Sequence, residues 1–563
     1  MEPLNAAPGG PQGNSGVVGR EGARGVPLSP WMKRRAGAWR EGVIFISCLL
    51  LICGVAAFTG VVPTIVLGHD NFLWLGNGWR VLCGQRPHVD YYSPWGPVSF
   101  LIVGLGLAIS NASPNALGYG SAIFGLVMGL WGYGLGRNRL ECALRIVFGL
   151  YLALLVTAPY ALGIWPTWST HAMLANRYGF ALAAMVVLEC LQRPEGSEGN
   201  AGESWGGISS GAALGLTLFL KASYFGVGVV IVGASLIFRG LSRRRLGGMG
   251  IGFGVVTLAL LAYLRFDVLK VVQDLRMAAG GRSKDMDALN LASILAAQVA
   301  SCAVVIALSL YGSSPQRQKR SWLERQQLLI WGLLVFFADA ALIFSNMQAR
   351  GTPLLAAFGI VVASRAMAQR RTAGGTASRT ETQRTIIVLL LCGFLSLPQL
   401  CSDLAGLGYG AWQKAFPSAA MSRVRFRVAR LRPMILYDGP FEKRSNGAVY
   451  TARINEGIAL LEGHCGPGDR VLNMDMVNPF PYALGWRPPR GGMAAVAYNY
   501  LFSDESHPSN EAYFGDTTVV MEPKEPALGR RYYDGYYQIY HPAMLERYRL
   551  AAESESWRLY RQK

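Results

Sequence analysis

Apolar blocks of about 18–24 residues, long enough for an α-helix to cross the hydrocarbon core of a bilayer, recur along most of the chain. Several blocks contain Gly or Ser, which membrane helices tolerate. The pattern therefore predicts a polytopic membrane protein. The predicted spans are 43–66, 98–110, 117–135, 146–164, 173–190, 208–220, 222–238, 247–264, 289–311, 327–345, 352–368 and 385–402.

The polar segments divide the chain into three predicted regions. Residues 1–40 begin with a stretch rich in Gly, Pro and Ala and predict a disordered, basic, cytoplasmic N-terminus. Residues 41–402 form the predicted transmembrane domain, whose first outer loop is 67–97. Residues 403–563 contain no apolar block and predict a soluble extracytoplasmic α/β domain. The predicted fold class is an all-α polytopic membrane protein of about 11–13 transmembrane helices with this small C-terminal α/β domain.

Patterns within the C-terminal region predict its elements. Residues 454–462 have the spacing of an amphipathic helix, and 470–474 and 517–521 read as short strands. The aromatic run Tyr532–Tyr540, YYDGYYQIY, favours a packed strand, with a sugar-stacking surface as the alternative. Asn478–Pro481 predicts a tight turn that could lie over a site.

The positive charge is concentrated in short loops. The formal net charge is +19 over 563 residues. The basic clusters at 239–245, 317–325 and 369–384 are typical of cytoplasmic loops and of contacts with anionic lipid headgroups. No continuous basic stripe with interleaved aromatics occurs, so nucleic-acid binding is not expected. We expect a multi-pass protein of the plasma or inner membrane with the C-terminal domain outside.

Counting the spans forward produces one conflict. If the loop 67–97 faces outward, the count also places the basic loop 239–245 outside, against the positive-inside rule. One segment between 98 and 238 must therefore be re-entrant, interfacial or miscounted. The short pair 208–220 and 222–238, which flanks Lys221, is the predicted location of the error.

Several familiar motifs are absent. The nine cysteines include no C-x-x-C pair, so a metal site of that type is not expected. The sequence has no Walker A loop, which disfavours ATP-driven transport. It also lacks H-E-x-x-H, so zinc-protease chemistry has no support.

The loop 67–97 concentrates chemistry at a membrane boundary. It contains two Asp, two His, two Arg and a group of aromatics, which a plain connection between two helices does not need. Ionisable groups at such a boundary indicate function by default. Asp70, just past the first span, could deprotonate a hydroxyl or hold a divalent cation. The alternative is an aspartate that caps the next helix.

The second half of this loop carries a resemblance. Gly84–Asp90 reads GQRPHVD, and Tyr92–Pro97 leads directly into the next apolar segment. Together with Asp70, this arrangement resembles the C-type (GT-C) glycosyltransferases, such as the aminoarabinose and protein-mannose transferases. The likeness is strongest over 40–135 and looser to about residue 370. Asn71 stands where many members have a second acid, and His88 stands where Tyr is common.

The resemblance implies roles for these residues. Asp70 would be the acceptor-activating base or a ligand of Mg²⁺ or Mn²⁺, and Asp90 a secondary catalytic acid that orients the loop or the acceptor. Cationic groups would hold the leaving lipid phosphate, with Lys221, Arg276 and Arg282 as candidates. The full set of predicted substrate-binding residues is His69, His88, Tyr91, Tyr92, Lys221, Arg276, Arg282, His171 and Arg177.

The resulting prediction is an inverting glycosyltransferase. It would move a sugar from a polyprenyl-phosphate donor to a lipid, glycan or protein acceptor outside the cytoplasm. Two alternatives stay open at this point. A transporter or flippase would explain Lys221 in an apolar run, and an inactive relative that binds envelope glycans would explain Asn71.

Overall fold

A computed structural model describes residues 30–191, 200–239, 242–281, 288–312, 326–346, 348, 351–372, 378–417, 424–437, 447–527 and 529–563. The chain divides into two units, residues 1–44 and 45–563. Helix α1 begins at Pro30, inside the segment predicted to be disordered.

The described part of the membrane region consists of α-helices joined by loops, the longest of which are 60–68, 83–96 and 158–173. Its helices are α1 Pro30–Thr59, α2 His69–Leu82, α3 Pro97–Ile109, α4 Ala116–Gly136, α5 Cys142–Thr157, α6 Leu174–Leu191, α7 Asn200–Leu218, α8 Ala222–Arg239, α9 Arg243–Tyr263, α10 Val268–Gly280, α11 Ala288–Ala297, α12 Val299–Gly312, α13 Gln327–Ser345, α14 Pro353–Thr372 and α15 Arg379–Ala415.

Each of the predicted spans coincides with one of these helices, or with the pair α11 and α12. Within the described residues, six helices are long and apolar enough to cross a membrane, or seven if the bent pair α11–α12 counts as one span. Shorter apolar helices lie at 97–109, 142–157 and 222–238. The protein is therefore a multi-pass, all-α integral membrane protein.

Helix α3 resolves the conflict in the span count. Before it, Tyr92 pairs with Met493 of the C-terminal region. After it, the Ala112 carbonyl accepts a hydrogen bond of 2.9 Å from the Tyr482 hydroxyl of the same region. Both ends of α3 thus lie at one end of the bundle, which we call the C-domain face. With 13 residues, or about 20 Å of helix, α3 is too short to cross and instead packs along α2.

The miscounted span is therefore α3, and the prediction that it lies at 208–220 or 222–238 was wrong. The loop that follows α4 lies at the other end of the bundle, the opposite face, where Arg139 pairs with Glu189 at the end of α6. Arg245, from the basic loop before α9, pairs with the same Glu189. With α3 removed from the count, the basic loop 239–245 shares a face with the α4–α5 loop, and the charge pattern agrees with the positive-inside rule.

Two helices organise the bundle. Every residue of α6 is buried, so α6 forms its centre. Helix α15 has 37 residues, or about 55 Å of helix, which exceeds the ~30 Å of a bilayer core. It continues past the predicted domain boundary at residue 403 and begins with a capping box between Ser378 and Glu381.

The C-terminal region contains a small α/β domain. Its strands are β1 Val471–Asn473, β2 Val519–Pro523, β3 Tyr548–Glu553 and β4 Trp557–Gln562, in the order β1-β2-β4-β3. β1 and β2 are parallel, and β4 is antiparallel to both β2 and β3. The helices are α16 Gly447–His464, α17 Phe480–Leu484, α18 Asn510–Phe514 and α19 Asp534–Arg547, with short 3₁₀ turns at Ala429–Leu431 and Arg530–Tyr532.

The tyrosine run forms a helix rather than the predicted strand. Tyr533, Tyr536 and Tyr540 are spaced three and four residues apart, which places them on one helical face. That face is buried, and Tyr540 stacks on Tyr513 with 3.9 Å between ring centroids. These tyrosines form the core of the domain, so they do not offer a sugar-stacking surface.

Candidate functional site

Asp70 lies in the first turn of α2, immediately after the irregular stretch that follows the first span. Gly68 is the N-cap, so Asp70 does not itself cap the helix. A negative charge in this turn is favoured by the helix dipole. The Asp70 side chain is 11% exposed, and its Oδ1 lies 3.4 Å from His69 Nε2. The neighbouring Asn71 donates from Nδ2 to Thr64 Oγ1 at 2.9 Å.

His69 is buried in the neutral form. Burial lowers the pKa of its imidazole from 6.5 to about 4, because a low-dielectric environment disfavours the charged ring. At neutral pH, His69 therefore contacts Asp70 as a neutral ring and does not form an ion pair with it.

The variant His69→Gln is expected to lose less stability than the parent protein when the pH falls from 7 to 4. A folded-state pKa below that of the unfolded chain contributes stability that is present above pH 6.5 and is lost as the pH falls toward 4. The shift to about 4 corresponds to about 3 kcal/mol. Unfolding in detergent at several pH values measures this contribution, with the exposed His464→Gln as control. Equal acid sensitivity of His69→Gln and the parent would contradict it.

The C-terminal domain contributes groups near Asp70. Phe72, one half-turn further along α2, faces Tyr450 with ring centroids 6.3 Å apart. Asp70 and Asp475 both act electrostatically on the Tyr450 hydroxyl, whose pKa is raised chiefly by burial. Burial also raises the pKa of Asp475 to about 6, against hydrogen bonds from the Met476 and Ala527 backbone. The sequence prediction missed both residues, since no local pattern links positions 450 and 475 to the first loop.

The C-terminal half of α2 is covered by the stretch 486–494. Asn77 donates to the Ala494 carbonyl at 3.0 Å, Trp79 to the Trp486 carbonyl at 2.9 Å and Arg80 to the Pro489 carbonyl at 2.9 Å. Helix α17, which begins in the predicted turn Asn478–Pro481, also packs on α2. Helix α2 is thus buried between the bundle and the C-terminal domain.

Asp90 lies away from Asp70, beyond the other end of α2. Its Oδ2 accepts from the Arg86 backbone at 2.8 Å, its Oδ1 lies 3.6 Å from Arg490 Nε, and it is close enough to Arg80 to act on it electrostatically. Arg80 is ten residues after Asp70, or about 15 Å along the helix axis. The structure thus does not bring the two predicted catalytic acids together, and Asp90 is placed to hold the loop.

His88 is held by an acid that the sequence did not point to. Its backbone is left-handed, with φ of 67°, and Nδ1 lies 2.8 Å from Oδ2 of Asp274 on α10. The same oxygen accepts from the Ser93 backbone at 3.0 Å. Burial raises the pKa of Asp274, and the His88 hydrogen bond opposes that change. The pair spans 186 residues, so local sequence could not reveal it.

Tyr91 and Tyr92 are both buried. The Tyr91 ring lies under Arg80, with 4.4 Å from Arg80 Cζ to the ring centroid. The Tyr92 hydroxyl donates to the Leu501 carbonyl at 2.6 Å. The Tyr92 side chain thus contacts the C-terminal domain and the Tyr91 ring contacts α2, and a substrate-binding role for either remains a prediction.

Lys221 lies at the break between α7 and α8, on the C-domain face. Its Nζ donates to Oδ1 of Asn176, at the start of α6, at 3.0 Å. The same break accepts backbone hydrogen bonds from the start of α3, where Gly96 donates to Leu220 at 3.3 Å. Lys221 therefore lies beside the end of the first outer loop, as a phosphate-binding role requires, and it is half-buried.

His171 and Arg177 hold the structure together. His171 Nε2 accepts from the Val62 backbone at 3.1 Å, which fixes the exit of α1. Arg177 Nη1 binds Asp403 Oδ1 at 3.0 Å, and its Nε donates to the Tyr160 carbonyl at 2.7 Å. Since His171 and Arg177 are at most 3% exposed, these contacts favour a structural role over contact with a substrate.

The remaining predicted cations lie on or after α10. Arg276 is exposed, two residues beyond Asp274. Arg282 lies outside the described residues. Arg276 can therefore reach a solvent-side phosphate, which leaves its predicted role open to test.

The residues around Asp70 do not supply a complete metal site. Among the described residues, no three His, Cys, Asp or Glu side chains come together. Beside the Asp70 carboxylate, the buried Oδ1 of Asn71 has no hydrogen-bond partner among the described residues. One carboxylate and one amide oxygen give Mg²⁺ or Mn²⁺ few protein ligands, so we derive no step through a metal. Asp70 as a cation ligand stays a prediction.

A small cavity lies along α2. The cavity along α2 is lined by Phe72, Arg80 and Asn478 and has a volume of about 20 Å³, room for about one water molecule. Asp70 lines neither this cavity nor the larger one at the opposite face.

The fold and this face define a class: multi-pass membrane proteins in which the first outer loop is buried under a C-terminal α/β domain. No family profile and no curated protein matches the sequence. Among solved structures, the chain is similar to GT-C glycosyltransferases.

Three such structures illustrate the similarity. ArnT from Cupriavidus metallidurans in the apo state is 13% identical, with 93% of this chain and 98% of that chain covered and a TM-score of 0.45. The same protein bound to undecaprenyl phosphate is 13% identical, with the same coverage and a TM-score of 0.44. The oligosaccharyltransferase AglB from Archaeoglobus fulgidus, in complex with an inhibitory peptide and a dolichol-phosphate, is 11% identical, with 86% and 70% covered and a TM-score of 0.35. These are likenesses of fold, and no residue's role is taken from them.

Proposed function

We propose that this protein is a membrane glycosyltransferase that moves a sugar from a polyprenyl-phosphate donor to a lipid, glycan or protein acceptor. The observation that carries the proposal is the position of Asp70. It lies directly after the first span, in the first turn of a helix that the C-terminal domain covers. An acid at the membrane surface beside a soluble domain can meet a lipid-linked donor and a hydroxyl acceptor together.

The proposed reaction is a direct displacement at the anomeric carbon. Asp70 takes the proton of the acceptor hydroxyl as the acceptor oxygen bonds to that carbon. The bond from the carbon to the phosphate oxygen breaks, and polyprenyl phosphate leaves with the electron pair, so the configuration inverts. The phosphate is a good leaving group, and positioning with charge stabilisation can supply much of the rate.

The distribution of charge supports an orientation for the protein. We place the opposite face, which carries Arg139 and Arg245, in the cytoplasm because basic loops are retained there. The C-domain face, with Asp70 and Lys221, then lies outside the cytoplasm, in the plasma or inner membrane.

Reconstitution tests the proposal. The protein in liposomes is offered a panel of undecaprenyl-phosphate-linked sugars together with lipid, glycan and peptide acceptors, and products are identified by mass spectrometry. Sugar transfer that exceeds protein-free liposomes supports the proposal. Movement of the intact lipid-linked sugar across the bilayer, with no transfer to any acceptor, would favour the transporter or flippase instead.

The variant Lys221→Gln is expected to raise KM for the donor about tenfold, with a smaller change in kcat. It removes one charge-assisted contact to the lipid phosphate, and such a contact contributes about 1.5 kcal/mol or more. Steady-state kinetics measure both constants. The exposed Lys270→Gln on the same face serves as control, and equal KM values in the two variants would remove Lys221 from donor binding.

A further inference from the structure

The opposite face holds a cavity with unusual charge. It has a volume of about 440 Å³ and lies between the α4–α5 loop and the end of α14. Its lining includes Arg137, Arg139, Arg145 and Arg371, and Glu141 is the one carboxylate among the lining residues. Four guanidinium groups around one lining carboxylate give the cavity a positive potential, which favours binding of an anion.

Ion pairs below the cavity fix its wall. Arg139 is 93% buried and donates to Glu189 Oε2 at 2.9 Å and to the Leu135 carbonyl at 3.0 Å. Arg245 shares the same carboxylate at 3.0 Å. Glu203 also acts electrostatically on Arg139, so among the described residues named here the five arginines outnumber the three carboxylates by two.

The rim of the cavity is also positioned by contacts. The Glu141 backbone donates to Ser364 Oγ at 2.8 Å, and its carboxylate pairs with Arg371. Arg145 donates to the Arg137 carbonyl at 3.1 Å and lies over Tyr133, with 5.0 Å from Cζ to the ring centroid. Arg139, Arg145 and Arg371 are therefore held around the opening by contacts within the protein.

The geometry points to a binding site here for a phosphate-bearing anion, supplied by the headgroup of an anionic phospholipid. Planar guanidinium groups bind phosphate oxygens through paired N–H donors. The cavity lies where α4, α5 and α14 end, the level at which headgroups meet a membrane protein, and basic pockets between helices bind such headgroups. Free phosphate has the same chemistry and is the other source to separate.

This site is independent of the proposed transfer reaction. It lies at the end of the bundle away from Asp70 and shares no residue with that site. Its occupancy would anchor the ends of α4, α5 and α14 to the anionic leaflet, so lipid composition would change the stability of this end of the bundle.

The test compares lipid retention by full-length variants in detergent. Native mass spectrometry follows binding of phosphatidylglycerol and, separately, phosphatidylcholine to the delipidated protein. The variant Arg137→Gln/Arg145→Gln is expected to bind phosphatidylglycerol about tenfold more weakly, through loss of charge-assisted donors. The control Arg243→Gln/Arg244→Gln removes the same charge from exposed positions near the opposite face and should leave binding unchanged.

Each result decides the proposal. Weak binding of phosphatidylcholine would support the site, as would tighter binding of phosphatidylglycerol by Glu141→Gln. Because Glu141→Gln is expected to gain binding, its result does not depend on whether the arginine variant folds. Equal losses in the cavity and control variants would reduce the effect to general surface charge and overturn the site. Inorganic phosphate bound with the same arginine dependence, without phosphatidylglycerol binding, would overturn the lipid as the source.

Discussion

Asp70→Asn is expected to lower kcat for sugar transfer by about 10²–10⁴-fold, the usual contribution of a positioned general base. The asparagine side chain has nearly the same shape but cannot accept the acceptor's proton. Although Asp70 is largely buried at the start of α2, this similarity of shape should leave the packing almost unchanged. Single-turnover transfer from an undecaprenyl-phosphate-linked sugar measures the chemical step directly.

Asp90→Asn provides the contrast. Asp90 holds the Arg86 backbone and faces Arg490, so its loss should raise KM or lower thermal stability while kcat changes little. If Asp70→Asn kept full turnover, or if Asp90→Asn lost more kcat than Asp70→Asn, the assignment of Asp70 as the general base would be wrong. Thermal unfolding of both variants separates loss of chemistry from loss of fold.

Asp403→Asn is expected to lower the free energy of unfolding by about 3–5 kcal/mol, because it leaves a buried cation without its partner. Asp403 accepts from Arg177 at 3.0 Å, and the two side chains are at most 1% exposed. Tyr160 and Gln399 donate to the same carboxylate, at 2.9 Å and 3.1 Å. Unfolding by SDS in mixed micelles measures the loss.

A surface pair gives the matched comparison. Asp267 and Lys270 lie 3.7 Å apart and are substantially exposed, so Asp267→Asn should cost less than about 1 kcal/mol. The double variant Arg177→Met/Asp403→Leu removes both charges and should recover much of the stability lost in Asp403→Asn. A cost for Asp403→Asn no larger than that of Asp267→Asn would show that the buried pair contributes little.

The helices were predictable because each local segment carries its own signal. Apolar length and composition located them, and short amphipathic or β-branched runs located α16, β1 and β2. The same local signal misassigned α3, since 13 apolar residues buried under a domain look like a short span. It also misassigned α19, where tyrosines favour strands by propensity but pack here at helical spacing.

The candidate site was predictable only in part. The boundary position of Asp70 drew attention to it from the sequence alone. The neighbours Tyr450 and Asp475, and the acid Asp274 that holds His88, come from segments between 186 and roughly 400 residues away. Such pairings depend on the tertiary fold, and local sequence patterns do not contain that information.

The dependence of α2 on remote residues has a consequence for how the protein is made. The Trp79 indole donates to a carbonyl that lies 407 residues later in the chain. Most of the polypeptide must therefore be synthesised before this hydrogen bond can form. Until then, helix α2 of the nascent chain is not covered by the C-terminal region. Truncated products should therefore be recognised by chaperones and proteases, and only the finished polypeptide can close over its first loop.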